Sequence, residues 1–246
     1  MRPALRPLLR ATVFAGLVLV SACLEGRSEA DCGPDALGVS RTLMLTRESP
    51  APYDLLEPGE VILTFDDGPA WHRTGRVLNE LSKECTQATF FLQGNRVQPW
   101  TGIAKSLREA GHSVGSHSWD HANLAELPLD EAVANAKQGQ DAVSRAIGQE
   151  TPLFRYPFIA TTPELTKAIR AEGLIDVTVT VDGADWTGNS PEQAVAQILE
   201  MLEQHDRRGM ILLHDPFPKS AARTRLLLQS LKSEGYRVVA LEQPQG

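Results

Sequence analysis

Apolar residues recur along the chain at two spacings, which predict an alternation of strands and helices. Short runs rich in β-branched residues predict buried strands at 61–63, 88–92, 112–116, 153–156, 174–181, 210–213 and 236–241. Apolar positions three and four residues apart predict helices at 74–84, 103–110, 129–147, 163–171, 191–204 and 221–234. Strict alternation favours an α/β fold with a parallel sheet and right-handed crossovers. About seven such β/α units are enough to curl into a distorted, incomplete (β/α) barrel.

The chain begins with a segment typical of export. Three arginines precede an apolar run at 11–20, which is too short for a comfortable membrane span, and small residues then lead to Cys23. We therefore predict a signal peptide over 1–22 and an exported, periplasmic or cell-envelope protein. The tetrapeptide V-S-A-C also resembles a bacterial lipobox, in which the cysteine is acylated, so Cys23 is a candidate for lipidation. Ordinary cleavage nearby, for example after Ala30, is the alternative.

Two further regions follow the predicted signal peptide. Residues 23–60 are irregular and rich in proline, which predicts a tether and a lead-in that packs on the domain, whereas 61–246 forms one catalytic domain. Two cysteines, Cys32 and Cys85, remain in this exported chain. An oxidising compartment permits them to form a disulfide, and two buried free thiols are the alternative.

Composition limits the function classes. The chain has 246 residues, 42% of them hydrophobic and 22% charged, as in an ordinary globular protein. A formal net charge of −7 gives no electrostatic footprint for nucleic acid. The sequence lacks G-x-G-x-x-G and phosphate-loop motifs, which disfavours enzymes that bind dinucleotides or nucleoside triphosphates.

Two adjacent carboxylates mark the end of the first predicted strand, within T-F-D-D-G-P at 64–69. Ligands bind at this edge of α/β folds, because the strands hold the loops in place. Neighbouring carboxylates repel each other, and a cation commonly offsets that repulsion. Asp67 as a metal ligand and Asp66 as a group free for proton transfer is therefore one interpretation. The alternative is a simple turn with Asp66 capping the strand end.

Other polar groups follow later strands. H-S-W-D-H at 117–121 places two histidines four residues apart, which allows both to reach one metal from a single helical turn. Taken alone, such a pair more often consists of surface histidines. R-Y-P-F at 155–158, D-G-A-D-W at 182–186 and L-L-H-D at 212–215 each follow a further predicted strand. Each motif alone could be structural: a salt-bridged arginine, a turn or a helix cap. Their joint occurrence at strand ends is difficult to explain as solvated surface.

In this order the five motifs resemble those of the polysaccharide deacetylases, the NodB-like carbohydrate esterases of family four. The resemblance runs from about 61 to 241 and implies a distorted (β/α) barrel. It also implies removal of acetyl groups from N-acetylated sugars of chitin-like or peptidoglycan-like glycans with a divalent metal, often zinc. An O-acetyl esterase with the same site, and a carbohydrate-binding lipoprotein with a degenerate site, are the competing hypotheses.

Carried over residue by residue, the resemblance also implies roles for the motif residues. Asp67, His117 and His121 would ligate the metal. Asp66 would be the base for the attacking water, and Arg155 would hold Asp66 in place. His214 would be the general acid, oriented by Asp185. The substrate pocket would be formed by Trp186, Leu212 and Phe158.

Two departures from the family pattern accompany these matches. Ile159 follows Phe158 where the family usually has glycine, which would reshape the loop that supplies a backbone N–H. Ala70 and Trp71 are bulkier than the residues that many relatives carry after the first motif, which would narrow the groove. Neither departure removes a catalytic group. The expected partner is an acetylated glycan, with no nucleic acid and no membrane contact beyond the lipid anchor.

Overall fold

The computed structural model describes residues 32–242. The strands are β1 (Arg41–Met44), β2 (Glu60–Gly68), β3 (Thr89–Leu92), β4 (Ser113–Ser116), β5 (Leu153–Phe154), β6 (Ile175–Asp176), β7 (Val181–Asp182), β8 (Gly209–His214) and β9 (Arg237–Glu242). The helices are α1 (Arg73–Lys83), α2 (Gly94–Val97), α3 (Thr101–Glu109), α4 (Leu129–Ile147), α5 (Pro163–Ala171), α6 (Pro191–Gln204) and α7 (Ser220–Ser233). The predicted alternation of strands and helices is thus confirmed, apart from the short helix α2, which was not predicted, and two differences described below.

The strands form one parallel sheet that curls around β2. The order is β1-β9-β2-β3-β4-β5-β6, and β8 pairs with both β2 and β7. Among the described residues no pairing joins β6 to β7, so the barrel stays open, as the fold prediction of an incomplete barrel required. All these strands run in the same direction, so their carboxyl ends meet at one edge of the sheet.

The first difference concerns the strand predicted over 174–181, which is two short strands, β6 and β7. The Arg155 side chain lies between them, and its Nε and Nη2 donate to the carbonyls of Val177 and Thr178 at 2.8 and 3.1 Å. These carbonyls are therefore bonded to a side chain and not to a neighbouring strand. The hydrophobic periodicity of the sequence does not reveal that a side chain replaces a strand as the hydrogen-bond partner.

Alternation along β2 separates two cores. Val61, Leu63 and Phe65 pack outward against the helices, whereas Ile62 packs inward with residues such as Phe91 and Met210. Side chains two residues apart share a face of a strand, so Thr64 and Asp66 follow Ile62 toward the barrel interior. The register of β2 therefore directs one acidic side chain into the mouth of the barrel.

The second difference lies in the lead-in over 23–60, which we predicted to be irregular. Its residues Arg41–Met44 form β1, which pairs with β9 and so covers an edge of the sheet. Cys32 and Cys85 are joined by a disulfide, with their Cα atoms 6.0 Å apart. The predicted signal peptide and Cys23 lie outside the described residues. In the part of the chain that is described, no helix has the length and apolar character needed to span a membrane.

Candidate active site

Both carboxylates at the end of β2 face the same cavity. Asp66 points inward by strand alternation and is 2% exposed. Asp67 would point outward in a regular strand, but its φ of 72° lies in the left-handed region, and the β2–β3 register shifts between Asp66 and Gly68. This irregularity rotates Asp67 toward the same cavity. The turn thus overrides strand alternation, and the two acidic side chains become neighbours in one site.

Asp67, His117 and His121 form a cluster with metal-ligand geometry. One ligand atom from each lies within 4.8 Å of the others. Asp67 Oδ1 is 3.2 Å from His121 Nε2 and 3.8 Å from His117 Nε2. His117 Nδ1 is 2.9 Å from the Arg155 carbonyl oxygen, so it must donate there, which leaves the Nε2 lone pair directed into the cluster. Two imidazoles and one carboxylate are a donor set that suits a divalent metal.

Electrostatics favour the ligand forms of these groups. Burial lowers the pKa of His117, in spite of the two aspartates beside it, so its imidazole is neutral near pH 7. Burial by itself raises the pKa of Asp67, but the facing His117, His121 and His214 outweigh it and hold that pKa below the usual value. A neutral imidazole and an ionised carboxylate are the forms that bind metal.

The two histidines lie on a loop and not on the helical turn that their spacing suggested. Ser118 and His121 have positive φ values of 64° and 65°, which fold this loop tightly. Helix α4 holds it from behind, because Asn135 Oδ1 accepts from the Trp119 amide at 2.9 Å. Gly139 packs so closely that a Cβ there would lie 2.3 Å from the Ser118 carbonyl. The prediction that both histidines reach one site holds, but through another backbone conformation.

Arg155 forms a buried ion pair with Asp66. Its Nη1 donates to Asp66 Oδ1 at 2.8 Å and to Thr64 Oγ1 at 2.7 Å, and its side chain is fully buried. The guanidinium also packs on the Phe91 ring, 4.2 Å from the centroid. Asp66 Oδ2 lies 3.7 Å from His117 Nε2. One Asp66 oxygen is thus held by Arg155, while the other faces the metal-ligand cluster.

His214 and Asp185 form a second buried pair on the opposite side of Asp66. The pairing of β2 with β8 places His214 directly beside Asp66. His214 Nδ1 lies 2.7 Å from Asp185 Oδ1, and the His214 amide donates to Asp185 Oδ2 at 3.0 Å. Burial lowers the pKa of His214, but the hydrogen bond and charge of Asp185, with Asp66 and Asp67, outweigh it and raise that pKa to about 9. His214 is therefore protonated near neutral pH.

Two supporting residues were missed in the sequence. Arg223 is buried and donates to Asp185 Oδ2 at 3.1 Å, and its helical spacing from Leu227 could have revealed an inward-facing arginine. Gln93 Nε2 donates to Asp67 Oδ1 at 2.7 Å, which orients that carboxylate. No pattern in the sequence marks Gln93, because its role depends on the irregular turn at Asp67.

Asp215, the last residue of the fifth motif, is buried against the turn of the first motif. It is fully buried, and its carboxylate accepts from the Thr74 hydroxyl, which in turn accepts from the Ala70 amide at 2.8 Å. Burial raises the pKa of Asp215 to about 7. A Cβ at Gly68 would lie 2.6 Å from Asp215 Oδ1, so only glycine fits at this point of the turn.

These groups surround one cavity of about 430 Å³ at the carboxyl edge of the sheet. Its floor is polar, and Leu212, buried beside Thr64, contributes an apolar wall. Phe158 and Trp186 form an open rim, with 65% and 60% of their surface exposed. The cavity is lined by Asp66, Asp67, His117, His121, Phe158, Ile159, Asp182, Trp186, Leu212, His214 and Phe217. The sequence-predicted site residues therefore come together, with Arg155 and Asp185 directly behind the lining.

Comparison with known sequences agrees with this geometry. The family model described as "Polysaccharide deacetylase" matches residues 56–177. The peptidoglycan-N-acetylglucosamine deacetylase of Bacillus cereus is 33% identical over 205 residues, covering 80% of this chain and 74% of that protein. The peptidoglycan-N-acetylmuramic acid deacetylase PdaC of Bacillus subtilis is 32% identical over 184 residues, or 74% of this chain. The match spans only 38% of the length of PdaC.

Solved structures give the same answer. The structure of PdaC superposes with a TM-score of 0.66 at 29% identity, covering 75% of this chain and 89% of that one. A peptidoglycan deacetylase of Bdellovibrio bacteriovorus superposes with a TM-score of 0.71 at 29% identity. The match covers 87% of this chain and 58% of that one. A mutant of a family-four pseudoenzyme superposes with a TM-score of 0.68 at 26% identity, covering 74% of this chain and 66% of that one. Because this fold includes a pseudoenzyme, membership of the family does not by itself establish catalysis. From its sequence, its fold and its site, this chain belongs to the polysaccharide deacetylase family, the NodB-like carbohydrate esterases of family four.

Proposed function

We propose that this protein is a metal-dependent hydrolase that removes acetyl groups from N-acetylated sugars of a cell-wall glycan. One observation carries the proposal: three metal-ligating groups, a carboxylate beside them and a protonated histidine line one cavity. A degenerate, non-catalytic relative would be expected to have lost at least one of them. Peptidoglycan is the favoured substrate class, because curated relatives at 32% and 33% identity are named for it.

Asp67, His117 and His121 would hold the metal, and zinc suits their mixture of nitrogen and oxygen donors. When bound, a divalent metal lowers the pKa of water and polarises a carbonyl group. The protein prepares the three donors in advance, since the Arg155 carbonyl orients His117 and Gln93 orients Asp67. A preorganised donor set of this kind reduces the cost of assembling the site when the metal binds.

Asp66 would act as the general base. Its carboxylate is fixed by Arg155 and Thr64 on one side, and its other oxygen faces the ligand cluster, where the attacking water would lie. The contribution of Arg155 is to hold Asp66 in position through this buried ion pair. Asp66 takes the proton as the water oxygen forms its bond to the acetyl carbon.

His214 would act as the general acid. Its Nδ1 is occupied by Asp185, so the proton available to substrate is the one on Nε2. As the bond between carbon and nitrogen breaks, His214 donates this proton to the leaving amine, and acetate and a free amino sugar result. The hydrogen bond from Arg223 keeps Asp185 in place on the far side from the substrate. Leu212, with Trp186 and Phe158 at the rim, would enclose the acetyl methyl.

Acetate release from a panel of glycans tests the proposal. N-acetylglucosamine oligomers, peptidoglycan fragments and O-acetylated xylan are incubated with enzyme as purified, after chelation, and after zinc is restored. We expect release from the N-acetylated substrates, loss on chelation and recovery with zinc. Release from the O-acetylated glycan alone would favour the esterase. Glycan binding without acetate release in the zinc-loaded protein would identify a non-catalytic binder.

We further propose that the protein is exported and anchored through Cys23. The basic start, the apolar run and the lipobox-like tetrapeptide support this proposal, because each has the order that a lipoprotein signal requires. Several acyl chains hold a protein on a membrane more firmly than one chain does. Intact-mass analysis of membrane-fraction protein should give a chain that begins at Cys23 with added lipid. A mature chain that begins elsewhere without lipid excludes the anchor.

A further inference from the structure

A stacked pair of tryptophans, of which Trp71 is exposed and Trp100 half-buried, lies outside the candidate cavity but at the same edge of the sheet. Trp71 is in the loop that leaves β2, and Trp100 is in the segment that follows β3 and α2. Their rings stack with centroids 4.9 Å apart and an interplanar angle of 24°. Trp71 nevertheless remains 55% exposed, and neither ring lines the cavity. The stack therefore leaves a large aromatic surface open to solvent.

This surface is linked to the site by short connections. Trp71 is four residues beyond Asp67, so their Cα atoms are at most about 14 Å apart. Arg73, the first residue of α1 directly after this loop, donates from Nη1 to the Pro216 carbonyl at 2.5 Å, next to Phe217 of the cavity wall. Arg96, between β3 and Trp100, donates from Nη1 to the Asp67 carbonyl at 3.3 Å. The loops that carry both tryptophans are thus held against the metal-ligand turn.

Packing within the fold does not account for the exposed side chain of Trp71. Large apolar side chains gain stability when they are buried, and an exposed aromatic surface beside a binding site usually marks an interaction surface. Among the described residues, the other exposed large hydrophobic side chains include three that line the cavity: Phe158, Ile159 and Trp186. Together with Trp71, four of the six exposed large hydrophobic side chains among the described residues therefore lie in the cavity lining or in the loop that follows the Asp67 turn.

We infer that the Trp71–Trp100 pair is a second sugar-binding subsite, which holds a neighbouring sugar unit of the glycan whose acetyl group enters the cavity. This inference rests on the proposed function. A pyranose ring has an apolar face of C–H groups that packs on an indole ring, and hydroxyl groups at its rim that need polar partners. His72, whose ring meets that of Trp71 edge-on at 4.7 Å, and the exposed Arg96 supply such partners. The loop that carries Trp71 would thus extend the binding surface along the polymer.

The subsite predicts that reaction efficiency depends on substrate length. In the wild-type enzyme, kcat/KM should be higher for an N-acetylglucosamine hexasaccharide than for the disaccharide. In Trp71→Ala the ratio of the hexasaccharide kcat/KM to the disaccharide kcat/KM should fall about threefold to tenfold. This is the range expected when one aromatic contact is lost. Trp71→Phe keeps an aromatic face and should retain most of the ratio. Met44→Ala removes an equally exposed apolar side chain from β1 and should leave the ratio unchanged.

Metal content and melting temperature of each variant separate this effect from misfolding. An unchanged ratio in Trp71→Ala, or an equal loss on both substrates, would overturn the inference. A second readout keeps it independent of catalysis: calorimetric binding of the hexasaccharide to zinc-loaded Asp66→Asn, with and without Trp71→Ala. If the wild type releases no acetate but binding weakens without Trp71, the proposed activity is wrong and the subsite stands. If the hexasaccharide fails to bind, or binds equally to both variants, there is no such subsite.

Discussion

At the scale of single residues, the site depends on one irregular dihedral angle. A regular strand would place Asp66 and Asp67 on opposite faces, and the φ of 72° at Asp67 brings both into one cavity. Their partners then separate them: Arg155 and Thr64 hold Asp66, whereas the histidines and Gln93 surround Asp67. Adjacent, chemically identical side chains are therefore prepared for different tasks.

This division predicts different defects for two conservative substitutions. Asp67→Asn keeps the shape but removes the anionic ligand, so metal content should fall, and activity with it. Asp66→Asn should keep the metal and lower the rate of acetate release by about 10²- to 10⁴-fold, the usual contribution of a general base. Metal analysis and acetate release measured on both variants check this. Metal loss in Asp66→Asn with retention in Asp67→Asn would reverse the assignment, and near-normal rates in both would refute the mechanism.

The pair of His214 and Asp185 predicts how activity depends on pH. The proposed mechanism uses protonated His214 as the acid, and the pKa of His214 is raised to about 9, so activity should persist up to that region and fall as the pH rises through it. In Asp185→Asn the alkaline limb of the kcat/KM profile should move to lower pH, because the interaction that raises the pKa is lost. An alkaline limb at the same pH in this variant would mean that another group supplies the proton.

The same shift has a consequence for stability, with a defined sign. A folded-state pKa raised above the unfolded value of about 6.5 favours the folded state while His214 is protonated. This contribution is fully present below about pH 6.5 and is lost as the pH rises through about 9. The wild type should therefore lose more unfolding free energy than Asp185→Asn between these two pH values, as measured in urea.

At the scale of elements, helices were predicted more accurately than strands. The predicted bounds of α4, α5 and α6 coincide with the observed ones, because long amphipathic repeats are clear in the sequence. The division into β6 and β7 was missed, since it depends on hydrogen bonds from Arg155, a residue distant in sequence from both. Strand β1 was missed because its stability comes from pairing with the far end of the chain. The motif residues were found, whereas Gln93 and Arg223, which act through other side chains, were not.

Helix α4 also has a task beyond filling the core, which is to hold the loop that carries His117 and His121, the two candidate metal ligands. Gly139→Ala should displace that loop, because the new Cβ would meet the backbone of Ser118 at 2.3 Å. We expect a loss of about 1–3 kcal/mol in the free energy of unfolding, as for overpacking, and weaker zinc binding. Gly102→Ala in α3 is the matched control, since its Cβ meets no atom within 4 Å. It should keep zinc affinity, and because Gly102 is the second residue of α3, its gain from helix propensity should stay below the roughly 0.5–1 kcal/mol of a helix interior. Equal zinc affinity in both variants would contradict this role of α4.

At the scale of the whole molecule, the candidate site and the first described residues of the chain lie at opposite edges of the sheet. The Gly38 amide donates to the Glu84 carbonyl at 2.9 Å, and β1 runs parallel to β9, so the segment from Cys32 to Ser40 lies at the amino edge. The candidate cavity lies at the carboxyl edge. Eight residues separate Cys23 from Cys32, which limits their reach to about 30 Å. A lipid on Cys23 would therefore hold the amino edge near the membrane and leave the cavity accessible to glycan.

The disulfide is the covalent part of this arrangement. It joins Cys32 to Cys85 across a sequence separation of 53 residues, and closing a loop of this length corresponds to about 4 kcal/mol in the chain-entropy model. Replacing both cysteines by serine should lower the free energy of unfolding in urea by up to that amount. The bridge lies at the amino edge, so kcat/KM and metal content should remain close to wild type at temperatures below the unfolding transition. Wild-type protein unfolded with a reductant should match the double variant. Full alkylation of both thiols in wild-type protein unfolded without reductant would show that the bridge does not form. Loss of activity in the folded double variant would show that the amino and carboxyl edges of the sheet are coupled.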